Sequence, residues 1–335
     1  MASLPAGQRE TVETLHRDGI RVWLDCDVAR RDELTAFVQP ECAPGTDEHL
    51  RLLGTLPKLN TVHVDGTFVT DEGLSHLARL PLLKSLTLPY SRITDDGLRH
   101  LSGLTELDCL DLSWSPLRGD GLVYLAPLKK LWRLDLSGSR VATGFQHLSG
   151  ERLHLLMLAD TQVDDKALPA IGCLPTLTVL ELDGTPITSA GLAHLAGLKR
   201  LAYLSVARTA IDDNGIRSLA QLPEVREFDL QNTRVTGAGF EPFRDRSNLR
   251  GVNLRQCPVT EEGVQALSRL PRLGSLDLSE TPVTDAWLAH LHGCRELRSL
   301  TLEQTLVSRE AVRQLHENLP ACQVKWTPRR DRGGQ

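Results

Sequence analysis

Five carboxylates, Asp111, Asp135, Glu181, Asp229 and Asp277, recur at intervals of 24, 46, 48 and 48 residues, a spacing that could line acids up for proton transfer or cation binding. Neither chemistry fits well. A calcium loop gathers its oxygens within about 12 residues, and a glycosidase-type carboxylate pair faces itself across a cleft, whereas these acids form an open row. A second set, His76, His100, His147, His194 and His290, recurs in GLxHL-like segments. Zinc holds each imidazole at about 2.0 Å, while neighbouring helices lie roughly 8 to 10 Å apart, so this row reads as helix-surface histidines. Cys109, two residues before Asp111, has no histidine placed on an adjacent strand to take its proton. P-loop, GxSxG, HExxH and GxGxxG motifs are missing. The expectation is a protein that is not an enzyme and has no catalytic residue, metal or cofactor.

These intervals belong to a repeat. Sliding the chain by 24 residues superimposes the pattern LxxLxxLxLxx(T/S/C)x(I/V)TDxGLxxLxx on itself, with leading positions Leu56, Leu80, Leu104, Leu128, Leu174, Leu198, Leu222, Arg246, Leu270 and Cys294. About eleven units follow one another, which predicts a solenoid rather than two ordinary globular domains. The 62 leucines of the 335 residues supply its core. Within each unit the period changes: LxL alternates as a half-buried strand does, and Leu98, Leu101 and Leu104 follow helical spacing. Thr94 stands at the expected helix N-cap, with Asp95 and Asp96 at the positive end of the dipole, and Thr70, Thr260 and Thr284 occupy the same place. One unit cannot bury its own leucines; stacking strands at about 4.8 Å makes a continuous core.

The LxxLxLxx(N/C)xL element within this pattern resembles the leucine-rich repeat signature over residues 46–326. The resemblance implies an α/β fold, a right-handed solenoid or horseshoe with a parallel sheet on its concave side and helices outside. The column that this family usually fills with asparagine is Thr67, Ser91, Ser115, Ser139, Thr161, Thr185, Thr209, Thr233, Cys257, Thr281 and Thr305. A hydroxyl or thiol must satisfy the turn there, which is similar to the cysteine-containing subclass of F-box proteins and to ITDxGL repeats of bacterial cytosolic proteins. Residues 1–45 are expected to form an N-terminal cap and a degenerate first repeat: a helix over 8–18 with Val12 and Leu15 inward, a strand over Ile20–Leu24, and a weak unit at 25–45 with Pro40 and with Cys42 near the hydroxyl column. They hold no F-box helix set. Val324–Trp326 predicts a last strand, and 327–335 a disordered tail.

The formal net charge of -5 lacks the concentrated basic face that nucleic acid or an anionic membrane requires. No run of 18 apolar residues and no signal peptide is evident. Seven cysteines without a CxxC pair predict reduced thiols, and the protein is expected to be cytoplasmic. The oligomeric state is left open.

Strand alternation sends the central residue of each LxL outward: His63, Thr87, Asp111, Asp135, Met157, Glu181, Ser205, Asp229, Asn253, Asp277 and Thr301. Five are acidic and none basic, so the row either keeps the solenoid soluble or receives the Lys and Arg side chains of a protein partner. Tyr90, Trp114, Leu155, Met157, Val179 and Tyr203 lie on or beside this face, although aromatics are only 4% of the chain. The expected binding residues are Tyr90, Asp111, Trp114, Asp135, Leu155, Met157, Glu181, Tyr203 and Asp229, for a partner with a basic, partly apolar surface. Trp132 is placed nearer the rim. The shortened unit at 131–153 puts the expected centre beside Leu155 and Met157; a neutral deletion would look the same. The alternative is a regulatory subunit, an inhibitor or activator of an enzyme such as a GTPase, or a ubiquitin-ligase substrate receptor. Arg208 and Arg255 are the concave candidates for an arginine finger.

Overall fold

The computed structural model describes residues 5–24, 34–38, 44–244 and 248–329. The chain forms two compact units, Met1–Gln162 and Val163–Gln335.

In the first unit the helix Ala6–Arg17 buries Val12 and Leu15 and leads into β1 (Ile20–Leu24). β1 pairs antiparallel with β2 (Leu34–Val38). From β2 onward the pairing is parallel, through β3 (Leu59–His63), β4 (Ser85–Thr87), β5 (Cys109–Asp111), β6 (Arg133–Asp135) and β7 (Leu155–Met157). Cys42 and Pro40 of the expected first repeat lie outside the described residues. The second unit is parallel throughout its described pairs, from β8 (Val179–Glu181) through β9 (Tyr203–Ser205), β10 (Glu227–Asp229), β11 (Gly251–Asn253), β12 (Ser275–Asp277) and β13 (Ser299–Thr305) to β14 (Gln323–Pro328). β14 thus runs two residues past the expected end of the repeats at Trp326; residues 330–335 lie outside the described ones. Among the described residues no helix is long and apolar enough to cross a membrane.

The leucine positions do what their spacing demands. Leu86, Leu88, Ile93, Leu98 and Leu101 have no exposed surface, and at roughly 25 cal/mol per Å² of apolar area their burial is the main favourable term holding each repeat to the next. In the second unit Phe228 takes a strand leucine's place and packs on Phe240 and Phe243, with ring centroids 6.0 and 5.9 Å away.

The hydroxyl column turns inward. The hydroxyls of Thr161, Thr185, Thr209, Thr233, Thr281 and Thr305 donate to the carbonyls of Leu158, Leu182, Val206, Leu230, Leu278 and Leu302, each three residues back, at 2.5 to 2.9 Å. The Cys257 thiol donates instead to Leu230 of the preceding repeat, at 3.0 Å. Thr67 is the exception and is exposed.

The TDxG motif does more than the expected capping. Thr70 and Thr260 do cap their helices, accepting from Glu72 N–H and Gly263 N–H at 3.2 Å, but Thr94 does not. Its amide and hydroxyl both donate to the Asp71 carboxylate of the preceding repeat, at 2.8 and 2.6 Å. The same clamp joins Asp47 to Thr70, Asp165 to Thr188 and Asp213 to Thr236. The motif's glycine makes room for it: a Cβ on Gly97 would lie 2.1 Å from Asp71 Oδ1, and one on Gly191 2.3 Å from Asp165 Oδ1. Several expected helices are 3₁₀ turns, as at Gly97–Leu101 and Asp120–Leu125.

Candidate functional site

Two outward columns line the sheet of the first unit. One is Ser85, Cys109, Arg133 and Leu155; the other is Thr87, Asp111, Asp135 and Met157, each residue in register with its neighbour. Asp111 and Asp135 are direct cross-strand partners, as their spacing implied. Two like charges so placed repel, and the structure shows what offsets this. Asp111 accepts from Ser113 N–H and from the Ser113 hydroxyl, at 3.0 and 2.7 Å. Asp135 accepts from Ser137 N–H at 3.1 Å and lies 3.5 Å from the Arg133 guanidinium.

Arg133 escaped the sequence reading because it stands one column away from the acids. Its Nη2 reaches Met157 Sδ at 3.6 Å, while its Nε is shut off from water with no hydrogen-bond partner. The expected centre at Leu155 and Met157 therefore has a cation in it, and both residues are only half exposed. The alternation that placed Asp135 outward had already placed Arg133 beside it on the same face, so the signal was in the sequence.

Burial pushes the Asp135 carboxyl above its ordinary range, with Asp111 adding to the rise and the Ser137 bond and Arg133 opposing it. A carboxyl whose folded pKa exceeds its unfolded one binds protons more readily when folded. The Asp135 contribution to stability should therefore rise as pH falls from neutrality through that raised value. Asn253 occupies the same column and still accepts from Arg255 N–H at 3.0 Å, so Asp135→Asn should keep the turn and weaken this acid-side gain. Denaturation midpoints measured between pH 7 and pH 4 check it; an unchanged pH profile would refute the assignment.

Tyr90 and Trp114 stand in the turns that follow β4 and β5. Both have left-handed backbone, φ 59° and 60°, where a bulky side chain costs roughly 1 to 2 kcal/mol. Each turn is pinned by the next repeat: Tyr90 N–H donates to Ser113 O at 2.8 Å and Trp114 N–H to Ser137 O at 2.7 Å. The two rings stack with centroids 5.9 Å apart and planes within 12°. Gly138, the equivalent residue one repeat on, leaves room for the indole, since a Cβ there would sit 2.3 Å from the Trp114 ring. The pair nevertheless remains 56% and 50% exposed. Phe68, 49% exposed, lies on the same turn side with the Arg92 guanidinium 5.1 Å from its ring centre. Trp132 is exposed in a shallow recess of about 340 Å³ with Asp108, Lys130, Arg152 and His154, at the opposite strand ends.

In the second unit Glu181 and Tyr203 face outward, half-buried, and Tyr203 O–H is pushed up in pKa mainly by burial. Asp229 accepts from Gln231 N–H at 3.0 Å and from Asn253 Nδ2 at 3.1 Å. A further carboxyl in contact with its neighbours is Asp183, which takes a short hydrogen bond from the Ser205 hydroxyl and one from Ala207 N–H at 2.8 Å. Its pKa is raised, burial again being the main cause. Of the arginine-finger candidates, Arg255 is ion-paired to Glu280, and Arg208 sits in a left-handed turn. Among the described cysteines Cys173 is exposed, Cys109 half-buried, and Cys257, Cys294 and Cys322 buried; burial raises Cys294 to about 11. Among the described residues no three metal-ligating side chains come together.

No protein-family model matches the chain, and no curated protein matches it. Among solved structures it is similar to the crystal structure of an internalin (inlF) from Listeria monocytogenes strain 4b F2365, with 18% identity and a TM-score of 0.64, covering 98% of this chain and 96% of that one. It is also similar to the plant peptide hormone receptor RGFR1 in complex with RGF2, with 16% identity and a TM-score of 0.52, covering 88% of this chain. It spans only 46% of that receptor chain. At such identities the likeness is one of fold: an α/β leucine-rich-repeat solenoid.

Proposed function

We propose that this chain is a non-enzymatic, cytoplasmic protein-interaction module of the cysteine-containing, ITDxGL type, a scaffold whose partner presents a basic, partly apolar surface. The supporting observation is the Tyr90–Trp114 stack: two scarce aromatics held in the repeat's left-handed turns, pre-ordered against each other and still half exposed. Rigid, exposed aromatics are what binding hot spots are made of. The RGFR1 likeness agrees, that receptor having been solved in complex with RGF2. Around the stack, Asp111 and Asp135 would steer a basic partner, with Leu155 and Met157 as apolar contacts; in the second unit Glu181, Tyr203 and Asp229 would offer the same chemistry.

The test is capture of the partner, followed by binding kinetics with Tyr90→Ala and Trp114→Ala in folded protein. Loss of a true anchor costs about 2 kcal/mol or more, roughly 30-fold in affinity, and mostly in the off-rate. His194→Ala, on the helix side, is expected to change nothing. Binding that survives the double truncation yet fails with a helix-side change would overturn the reading.

A further inference from the structure

The strand entrances of the second unit carry a row of arginines. Arg226, Arg250, Gly274 and Arg298 occupy the same position in successive repeats, linked by Arg250 N–H to Arg226 O at 2.7 Å, Gly274 N–H to Arg250 O at 2.8 Å and Arg298 N–H to Gly274 O at 2.7 Å. All three arginine side chains are exposed. Arg226 and Arg250 form no ion pair with any described residue; Arg298 donates to Arg295 O at 2.6 Å and lies 3.9 Å from Glu296. Arg226 and Arg250 are like charges at the entrances of adjacent strands, an arrangement that favours an anion beside them.

The glycine makes the row into a site. Gly274 leaves a notch between Arg250 and Arg298, part of an open cleft of about 550 Å³ lined by Arg250, Pro271, Arg272, Gly274 and Glu296. Arg272 is held over it by a bond to Asn248 Oδ1 at 2.8 Å. A Cβ at Gly274 would meet nothing closer than 3.6 Å, so the notch is open because glycine stands there and not because the backbone forbids a side chain.

We propose that this arginine edge docks an acidic, extended peptide segment of a partner protein. It is a different surface from the aromatic one and does not depend on it. Strands about 4.8 Å apart put Arg250 and Arg298 about 9.6 Å apart, and carboxylates three residues apart on one face of an extended polyproline II segment are separated by about 9.3 Å. Exposed Glu224, Glu227 and Glu296 punctuate the edge. A continuous phosphate backbone would be pressed against those carboxylates, whereas spaced acidic side chains can bypass them.

The experiment is fluorescence anisotropy of the full chain with a labelled peptide bearing glutamate at every third position, at low and physiological ionic strength. Labelled oligothymidylate and phosphatidylserine vesicles run in parallel. The expected result is salt-sensitive peptide binding, weakened about tenfold or more by Arg250→Glu with Arg298→Glu and largely kept by the two lysine substitutions. Gly274→Glu, which places a carboxylate in the notch, should weaken binding as much; it decides the matter if the double reversal does not melt like the wild type. No peptide binding by the wild type, binding indifferent to these changes, or tighter binding of the oligonucleotide or vesicles would overturn the proposal.

Discussion

Leu180→Ala should destabilise the protein by roughly 2 to 5 kcal/mol, the range for a buried leucine whose removal leaves a cavity that its surroundings cannot fill. Leu180 is the inward residue of β8 and has no exposed surface. Its outward neighbours Val179 and Glu181 are half exposed, so the same truncation one residue along should cost far less. Chemical denaturation measures the difference. A loss below about 1 kcal/mol at Leu180 would mean that the strand's inner and outer faces are exchanged, since a slip of one residue reverses every side chain.

The second large effect belongs to the clamp between repeats. Asp71→Ala removes the acceptor of both the Thr94 amide and the Thr94 hydroxyl, and hydrogen bonds to a charged group contribute about 1.5 to 3 kcal/mol, towards the lower end where water competes. Gly97→Ala by itself should cost about 1 to 3 kcal/mol by overpacking, because its new methyl would strike the same carboxylate. The two losses should not add. With Asp71 already truncated, the obstacle to a Cβ at residue 97 is largely gone, so the double variant should be little less stable than Asp71→Ala alone. A double-mutant cycle reads this coupling directly; simple additivity would show that Gly97 is needed for some other reason.

Much of the repeat was legible because leucine spacing reports period directly. The inward hydroxyl column was legible for the same reason: one small polar residue recurs at one fixed place in each unit. The TDxG motif was read correctly as a helix start at Thr70 and Thr260 but not at Thr94, whose partner lies in the preceding repeat. An N-cap and an inter-repeat clamp ask for the same residue types, and a pattern in one dimension does not distinguish them.

The candidate surface divides along a similar line. Alternation alone assigns Asp111, Asp135, Met157, Glu181 and Asp229 to the outward side, because a strand has only two faces. The surroundings of those groups depend on neighbours across the sheet as well as along the strand: Asp135 has Asp111, 24 residues away, and Arg133, two residues away, and Asp229 has Asn253, 24 residues away. The prominence of Tyr90 and Trp114 is also tertiary, because their left-handed turns are held by carbonyls of the following repeat and their stack is completed at Gly138. Sequence by itself determined which residues face inward, since burying leucine at a fixed period admits one register. Tertiary structure decided which outward residues are charged, paired or displayed, because those properties arise from side chains brought together only when one repeat stacks on the next.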